Sequence, residues 1–580
     1  MSLASRLADL NPFSSDDPND DEDYGEQVGN TTVAGGGHST RTNLTKTQLR
    51  VSSTLQNFLA KENIVLDKNP RDGLYDADYL EQQVCALLDQ PHIEVPSHVT
   101  DRSHPLPEYF ISSSHNTYLM AHQLFGDSSA EAYETVLNAG ARCVEIDAWD
   151  NEEDKEEPKV THGYTLVSHI PFRGVCEIIR DCVDKEATES VNQQGYRAAP
   201  ILLSLENHCN PKGQLRLVQI MREVWGSRLL SKAVRDWGTE EQQGGAHVTL
   251  DELGSKIAVI VEHHWDTGDS VEEDSCSDRE EDDEQKQANT AYKAKRKETA
   301  NVGIIPELAE IGVYAQSVKP IDNSWYEAEL TNGPHHHLIN VSESGLKAHM
   351  PAQSARIAAH NAHHLMRVFP KGTRISSKNL KPVHFWGIGA QICALNWQTF
   401  GASMQINEAL FSGSDGYVLK PAALRAGGNG QLSTGKKAKL RLHIAGASDV
   451  PVPEGRDDDE IKPYVTCILI HPDNIDEDPP KRKTAAYKHH TLGLLHRGDN
   501  SPATDPVWHE HLEWEYDDNE LVFLRILIKS DDSFAKNSML AVTAVRLSYV
   551  TTGWRFIRML DLKGQETKCS LLVRFEIANA

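Results

Sequence analysis

The feature that most constrains this chain is a set of strand-like apolar runs that each deliver a polar or charged residue. The run ISSSHNTYL from Ile111 is followed, after a helix-like stretch, by RCVEIDAWD from Arg142. Glu145 and Asp147 are two residues apart, and on a strand such residues point to the same face. Two further runs follow, VTHGYTLVSH with His162 and ILLSLENHC with Glu206. A site assembled from the ends of several strands is the pattern of a TIM barrel.

Taken singly, a polar residue ending an apolar strand is ordinary. The combination is not, because carboxylates beside β-branched residues are costly to bury unless paired, hydrogen-bonded or bound to a cation. Asn116, Glu145, Asp147 and Glu206 offer only oxygen ligands, which suit calcium or magnesium, whereas zinc prefers histidine and cysteine. His115 and His162 are then the groups able to move protons or stabilise a phosphoryl oxygen near neutral pH. The residues by themselves read as metal-assisted phosphodiester cleavage with acid–base help.

The segments PLPEYFISSSHNTYL, RCVEIDAWD, HGYT and ILLSLENHC, in this order and at similar spacing, resemble the X box of the eukaryotic phosphoinositide-specific phospholipase C family. INVSES from Ile339, LMRVFPKGTR from Leu365, ICALNWQT from Ile392 and GYVLKP from Gly416 resemble its Y box. The resemblance implies an α/β TIM-type barrel built from X and Y halves, a C-terminal antiparallel β-sandwich and a short helical N-terminal brace. It implies that Asn116, Glu145, Asp147 and Glu206 hold one calcium ion and that His115 stabilises a five-coordinate phosphorus. His162 would protonate the leaving diacylglycerol oxygen, and Glu145 or Glu206 would be the base. Ser342, Arg367 and Phe369 would bind the headgroup. The implied product is an inositol cyclic phosphate, then the opened inositol phosphate.

The headgroup pocket departs from the pattern. Where relatives that cleave the bisphosphate lipid carry two lysines, KIAVIVEHHW places Ile260 and Glu262. Phe369 stands where many relatives have tyrosine, and Thr373 where they have a tryptophan. Tyr164, Leu166 and Leu124 are expected to form part of an apolar rim.

Several further regions are expected along the chain. Residues 1–45 are acidic and rich in Ser, Thr, Asn and Gly, which reads as disorder. Residues 46–104 carry helical periodicity and resemble the remnant of an EF-hand region, without its calcium loop. The X half spans 105–263, an acidic linker 264–303, and the Y half 304–426. Short alternating runs over 437–580 argue for a sandwich and resemble the family's C-two domain. Its calcium loops are poorly kept, with Lys462, Ser530 and Ser538 in place of acids and only Asp532 matching. The acidic linker is expected to cover the barrel mouth through its charge. The histidine runs at His335 and His360 are expected on the surface or on helices, not at a metal.

The net charge of −27 argues against nucleic acid as a partner and against simple adsorption to anionic lipid. No apolar run approaches the roughly 20 residues of a membrane span, and the first residues lack a signal-peptide core. Nine scattered cysteines without a CxxC pair suggest a reduced intracellular compartment. The expectation is therefore a monomeric cytoplasmic enzyme, peripherally associated with membranes, that meets phosphoinositide lipids at the membrane surface; no protein activator is specified. The competing readings are a glycerophosphodiester phosphodiesterase and a catalytically weak lipid-binding scaffold.

Overall fold

The computed structural model describes residues 49–64, 77–119, 129–161, 169–188, 198–235, 247–263, 303–319, 323–327, 330, 333–370, 379–475, 478–489, 500–531 and 538–579. His162, Tyr164, Leu166, Leu124, Thr373, Asp532, the acidic N-terminus and nearly all of the linker lie outside them.

Eleven short strands form the first sheet. They are β1 (Tyr109–Ile111), β2 (Cys143–Trp149), β3 (Lys159–Val160), β4 (Ile170–Pro171), β5 (Ile201–Asn207), β6 (Ile257–Glu262), β7 (Gln316–Val318), β8 (His337–Ser342), β9 (Leu365–Phe369), β10 (Ile392–Cys393) and β11 (Tyr417–Leu419). Strands β2, β5, β6, β7, β8, β9, β10 and β1 are parallel neighbours in that order. The ring closes between β1 and β2, where Cys143 N–H donates to Ser112 O and Ser114 N–H donates to Cys143 O. Eight parallel strands taken in chain order around a closed ring make a TIM-type barrel. The β3–β4 hairpin extends β2, and β11 lies antiparallel beside β1.

Strand parity then sorts the side chains. One set, with Val144, Ile146, Leu203, Leu205, Val259, Val261, Met366 and Val368, joins the helices in the main core. The alternate set begins apolar at the lower, N-terminal ends, with Cys143, Leu202, Ala258, Ile260, Leu338, Leu365 and Ile392 in one inner cluster. The next positions of that parity, Glu145, Asp147, Ser204, Glu206, Asn340 and Arg367, carry polar groups toward the C-terminal ends. The interior is thus a dry plug below and a polar mouth above.

The covering helices read as their sequences dictate. Pro211–Trp225 opens with Pro at its first position, and the Asn210 side chain accepts from Lys212 and Gly213 N–H. Leu217, Val218, Ile220, Met221, Val224 and Trp225 form its buried stripe. Gly226, at φ +49, ends it in a conformation that favours glycine.

The C-terminal region is an eight-stranded antiparallel sandwich: β12 (Lys437–Ser448), β13 (Pro463–Ile470), β14 (Lys481–Lys483), β15 (Val507–Asp517), β16 (Phe523–Ser530), β17 (Met539–Arg546), β18 (Gly553–Leu560) and β19 (Glu566–Asn579). In β12 the alternation is plain: Ala438, Leu440, Leu442 and Ile444 are buried, while Lys437, Lys439 and Arg441 are exposed. The sandwich is fused to the barrel. Leu521, Phe523, Leu527 and Val542 share the core of Trp386 and Phe400, and the fully buried Arg525 donates from Nε to Gln405 Oε1 at 2.6 Å.

The N-terminal brace docks on the sandwich. Leu55 and Leu59 of the helix Ser53–Lys61 pack with Ala445, Phe556 and Leu572, and Arg50 pairs with Asp449 and Asp505 at 2.7 and 2.6 Å.

The histidine runs meet the expected placement on the surface or on helices only in part: His360 lies on the helix Ser354–Asn361, and His335 and His363 are exposed. His336 and His337 are buried at the lower barrel rim, and His337 Nε2 lies 2.9 Å from His360 Nε2. The His337 ring stacks on His364, with centroids 3.9 Å apart. His337 is buried where the helix Ser354–Asn361 meets the foot of β8. No helix among the described residues is long and apolar enough to cross a membrane, and no disulfide forms among the described cysteines.

Candidate active site

Three of the expected ligands converge. The register pairs Asp147 on β2 directly with Glu206 on β5, and Glu145 lies two residues before Asp147 on the same face. Carboxylate oxygens of Glu145, Asp147 and Glu206 all lie within 4.8 Å of one another. Asn116 adjoins them from the loop after β1. Its backbone, at φ +45, takes the left-handed conformation that asparagine tolerates, and this aims its N–H at Glu145 Oε2, 2.8 Å away.

Each carboxylate is held differently. Glu145 is buried, and Arg367 Nη2 donates to its Oε1 at 2.6 Å. Arg367 Nη1 also donates to Asn340 Oδ1 at 3.2 Å, and its Cζ lies 5.7 Å from the Phe369 ring centroid. Asp147 accepts from Tyr118 O–H at 2.6 Å through Oδ2, whereas its Oδ1 is buried without a hydrogen-bond partner. Burial first, and then the charges of Glu206 and Glu145, hold the Asp147 carboxyl well above the usual range. Glu206 is nearer the mouth, with His208 Nε2 3.2 Å from its Oε1 and the His208 ring stacked on Trp149 at 3.9 Å.

A buried, partnerless carboxylate oxygen among three acids is an unstable arrangement unless a proton or a cation compensates it. The donors on offer are hard oxygens, so the set fits calcium or magnesium. Asn116, Glu145, Asp147 and Glu206 are the residues that could hold such an ion.

His115 stands beside the cluster, its Nε2 4.0 Å from Glu145 Oε2. Its Nδ1 lies 2.8 Å from Asn396 Oδ1. Of the expected headgroup residues, Arg367 is committed to Glu145 and Asn340. Ser342 caps the helix Glu343–Lys347, accepting from Gly345 N–H at 3.2 Å. Phe369, by its parity with Arg367, ends β9 at the mouth. Ile260 belongs to the dry layer and is 2% exposed, while Glu262, two residues on, ends β6 at the rim.

Sequence reasoning missed Tyr118, Asn340, Asn396 and His208. Strand parity was a usable signal for two of them, since Asn340 precedes Ser342 by two and Asn396 follows Ile392 by four.

Comparison with known proteins gives the same frame. Residues 102–263 match the phosphatidylinositol-specific phospholipase C X domain, 308–423 match the Y domain, and 438–562 match the C2 domain. The chain carries the X and Y domains of a phosphatidylinositol-specific phospholipase C, followed by a C2 domain. The converging carboxylates sit on β2 and β5, within the X domain, while Arg367 and Asn396 come from the Y domain, so the site needs both.

Among curated proteins the chain is 30% identical over 493 residues to 1-phosphatidylinositol 4,5-bisphosphate phosphodiesterase delta-1 of Rattus norvegicus, covering 82% of this chain and 61% of the relative. It is 31% identical over 496 residues to the delta-3 phosphodiesterase of Mus musculus, covering 83% and 58%. The chain therefore spans about three-fifths of the length of these relatives. A solved structure of S. officinalis PLC21 superposes with a TM-score of 0.68 at 23% identity, covering 95% of this chain and 65% of that one. L. pealei PLC21 gives 0.68 at 22% identity, covering 100% and 69%.

Proposed function

We propose that this protein is a calcium-dependent phosphoinositide phospholipase C, cleaving phosphatidylinositol or its phosphates into diacylglycerol and an inositol phosphate by way of a cyclic phosphate. The observation that carries the reading is the orphaned Asp147 Oδ1 between Glu145 and Glu206, in a barrel assembled from X and Y domains. Asn116, Glu145, Asp147 and Glu206 would hold the ion. When bound, calcium supplies charge neutralisation at the phosphoryl oxygens and acidifies the inositol 2-hydroxyl.

The protein's own groups divide the remaining work. His115 presents Nε2 to a phosphoryl oxygen and stabilises the charge that develops there. His162 protonates the departing diacylglycerol oxygen. Both Glu145 oxygens already accept, from Arg367 and from Asn116 N–H, and its side chain is 4% exposed against 29% for Glu206. Glu206 is therefore the better-placed acceptor for the 2-hydroxyl proton. Phe369 offers a flat face to the inositol ring, and the buried Arg367 Nε, which has no partner, is a further donor. With Ile260 and Glu262 in place of lysines, phosphatidylinositol or its monophosphate competes well with the bisphosphate.

Membrane contact is peripheral and local, and the enzyme acts as a monomer in the cytoplasm. The test is an activity matrix of headgroup against calcium. Hydrolysis of intact phosphatidylinositol that ceases in chelator supports the reading. Cleavage of glycerophosphoinositol alone, or full activity in chelator, overturns it.

A further inference from the structure

The catalytic histidine is held by a segment that takes no direct part in the chemistry. The isolated parallel bridge Ser114–Leu395 brings the chain after β1 against the chain after β10, and His115 N–H donates to Leu395 O at 2.7 Å. One residue beyond the bridge on each side, His115 Nδ1 meets Asn396 Oδ1 at 2.8 Å. The next two side chains of the same segment also bond the histidine loop. Trp397 Nε1 donates to Ser113 O at 3.1 Å, and Gln398 Nε2 donates to Leu119 O at 3.0 Å. Asn396, Trp397 and Gln398 thus grip residues on both sides of His115.

Asn396 is itself locked from behind. Its backbone N–H donates to Asn379 Oδ1 at 2.6 Å, and its C=O accepts from Asn379 Nδ2 at 2.9 Å. Both ends of the Asn379 amide are spent on the backbone of one residue, which fixes that residue against rotation. Asn396 is 2% exposed, so water does not replace it.

We propose that Asn396 is the positioning residue of His115, with Asn379 as its anchor; the proposal rests on the phospholipase reading and deepens it. An amide oxygen has no proton to give, so it accepts from Nδ1–H and keeps the proton on that nitrogen. The ring is then presented with Nε2 toward the carboxylate cluster. Without the acceptor, the imidazole is free to rotate and to populate the other tautomer.

The test uses the full chain. Asn396→Leu keeps the volume and removes the acceptor, and is expected to lower kcat by about 10- to 100-fold, as loss of an orienting partner does, with KM within about twofold. Asn396→Asp, which keeps an acceptor oxygen, is expected to recover most of kcat. Nitrogen-15 NMR of labelled histidine reads the tautomer without substrate. His115 is expected to be Nδ1-protonated in the parent and to show mixed tautomers in Asn396→Leu. Should the leucine variant fail to fold, Asn396→Ala is read in the same way. Unchanged kcat in a folded Asn396→Leu or Asn396→Ala, or an unaltered His115 signal, overturns the proposal. A tautomer change in Asn396→Leu, together with a parent chain that cleaves no phosphoinositide, overturns the reaction assignment and leaves the positioning role standing.

Discussion

The two rims of the barrel bury titratable side chains for opposite ends. At the upper rim Glu145, Asp147 and Glu206 crowd negative charge into a site where one oxygen, Asp147 Oδ1, is left without a partner. At the lower rim histidine rings meet in two groups, His247 with His336 and His337 with His360 and His364, and burial pushes the pKa of His247, His337, His360 and His364 down. The upper rim needs a proton or a cation to offset its crowded carboxylates. The lower rim holds neutral rings in mutual contact, and added positive charge is what it disfavours. Burial of ionisable groups does not by itself mark a site. Three like charges converging on one point do.

The largest effect that would break this contrast is at Glu145. Glu145→Gln should lower turnover by roughly 10³, through loss of an ion ligand and its charge. It should also destabilise the fold by about 3 kcal/mol, because Arg367 is left buried without its counter-charge. A Glu145→Gln/Arg367→Met double variant should recover most of that stability, measured by denaturant melts, while remaining inactive. If the single variant melts normally, the Arg367 pair contributes less than its geometry suggests.

Next in size are the two histidines. His115→Ala and His162→Ala should each reduce kcat by about 10², with little change in the calcium concentration for half-maximal activity. Near-parental turnover in either would make that histidine structural and move it to the class of the lower rim.

At the lower rim the effect is on stability. Burial pushes His247 down to about 3, His337 to about 4 and His360 to about 3. The groups facing them include His336, His363, Arg235 and Lys420. The unfolded chain takes up protons on these histidines below about pH 6.5 while the folded chain does not. Stability is therefore complete above that pH and falls as pH drops toward 4, by about 1.4 kcal/mol per pH unit for each histidine. Melting temperatures taken from pH 7 to pH 5 should show the decline. Replacing His337 with Asn should flatten it without altering kcat at pH 7, and a slope that does not change would place the acid-sensitive groups elsewhere.

The smallest expected effect is on headgroup choice at the upper rim. Ile260 sits in the dry layer, so a lysine there would bury a charge; Glu262→Lys alone is the informative change. It should shift preference toward the bisphosphate by about tenfold, the worth of one charge-assisted hydrogen bond. An unaltered ratio of initial rates on phosphatidylinositol and its bisphosphate would show that other groups read the ring phosphates.

The amino-acid sequence by itself specified the barrel's strands, the sandwich and the three carboxylates that converge at the barrel mouth. Each of these rests on local periodicity: apolar residues at every second strand position, polar residues at the strand ends, and alternating runs after Ala438. Glu145, Asp147 and Glu206 were legible as a group because carboxylates on strands of β-branched residues are too costly to bury without a compensating cation, proton or donor. What only the tertiary structure decided are contacts between segments far apart in the chain. That Arg367 also lies 2.6 Å from Glu145, 222 residues away, is decided only by the closed barrel. Asn396 reads as one amide among many until the Ser114–Leu395 bridge sets it against His115. That His336 and His337 are buried is decided only when the helix Ser354–Asn361 folds onto the foot of β8. Periodicity tells which face a side chain takes, and ring closure alone tells what it meets there.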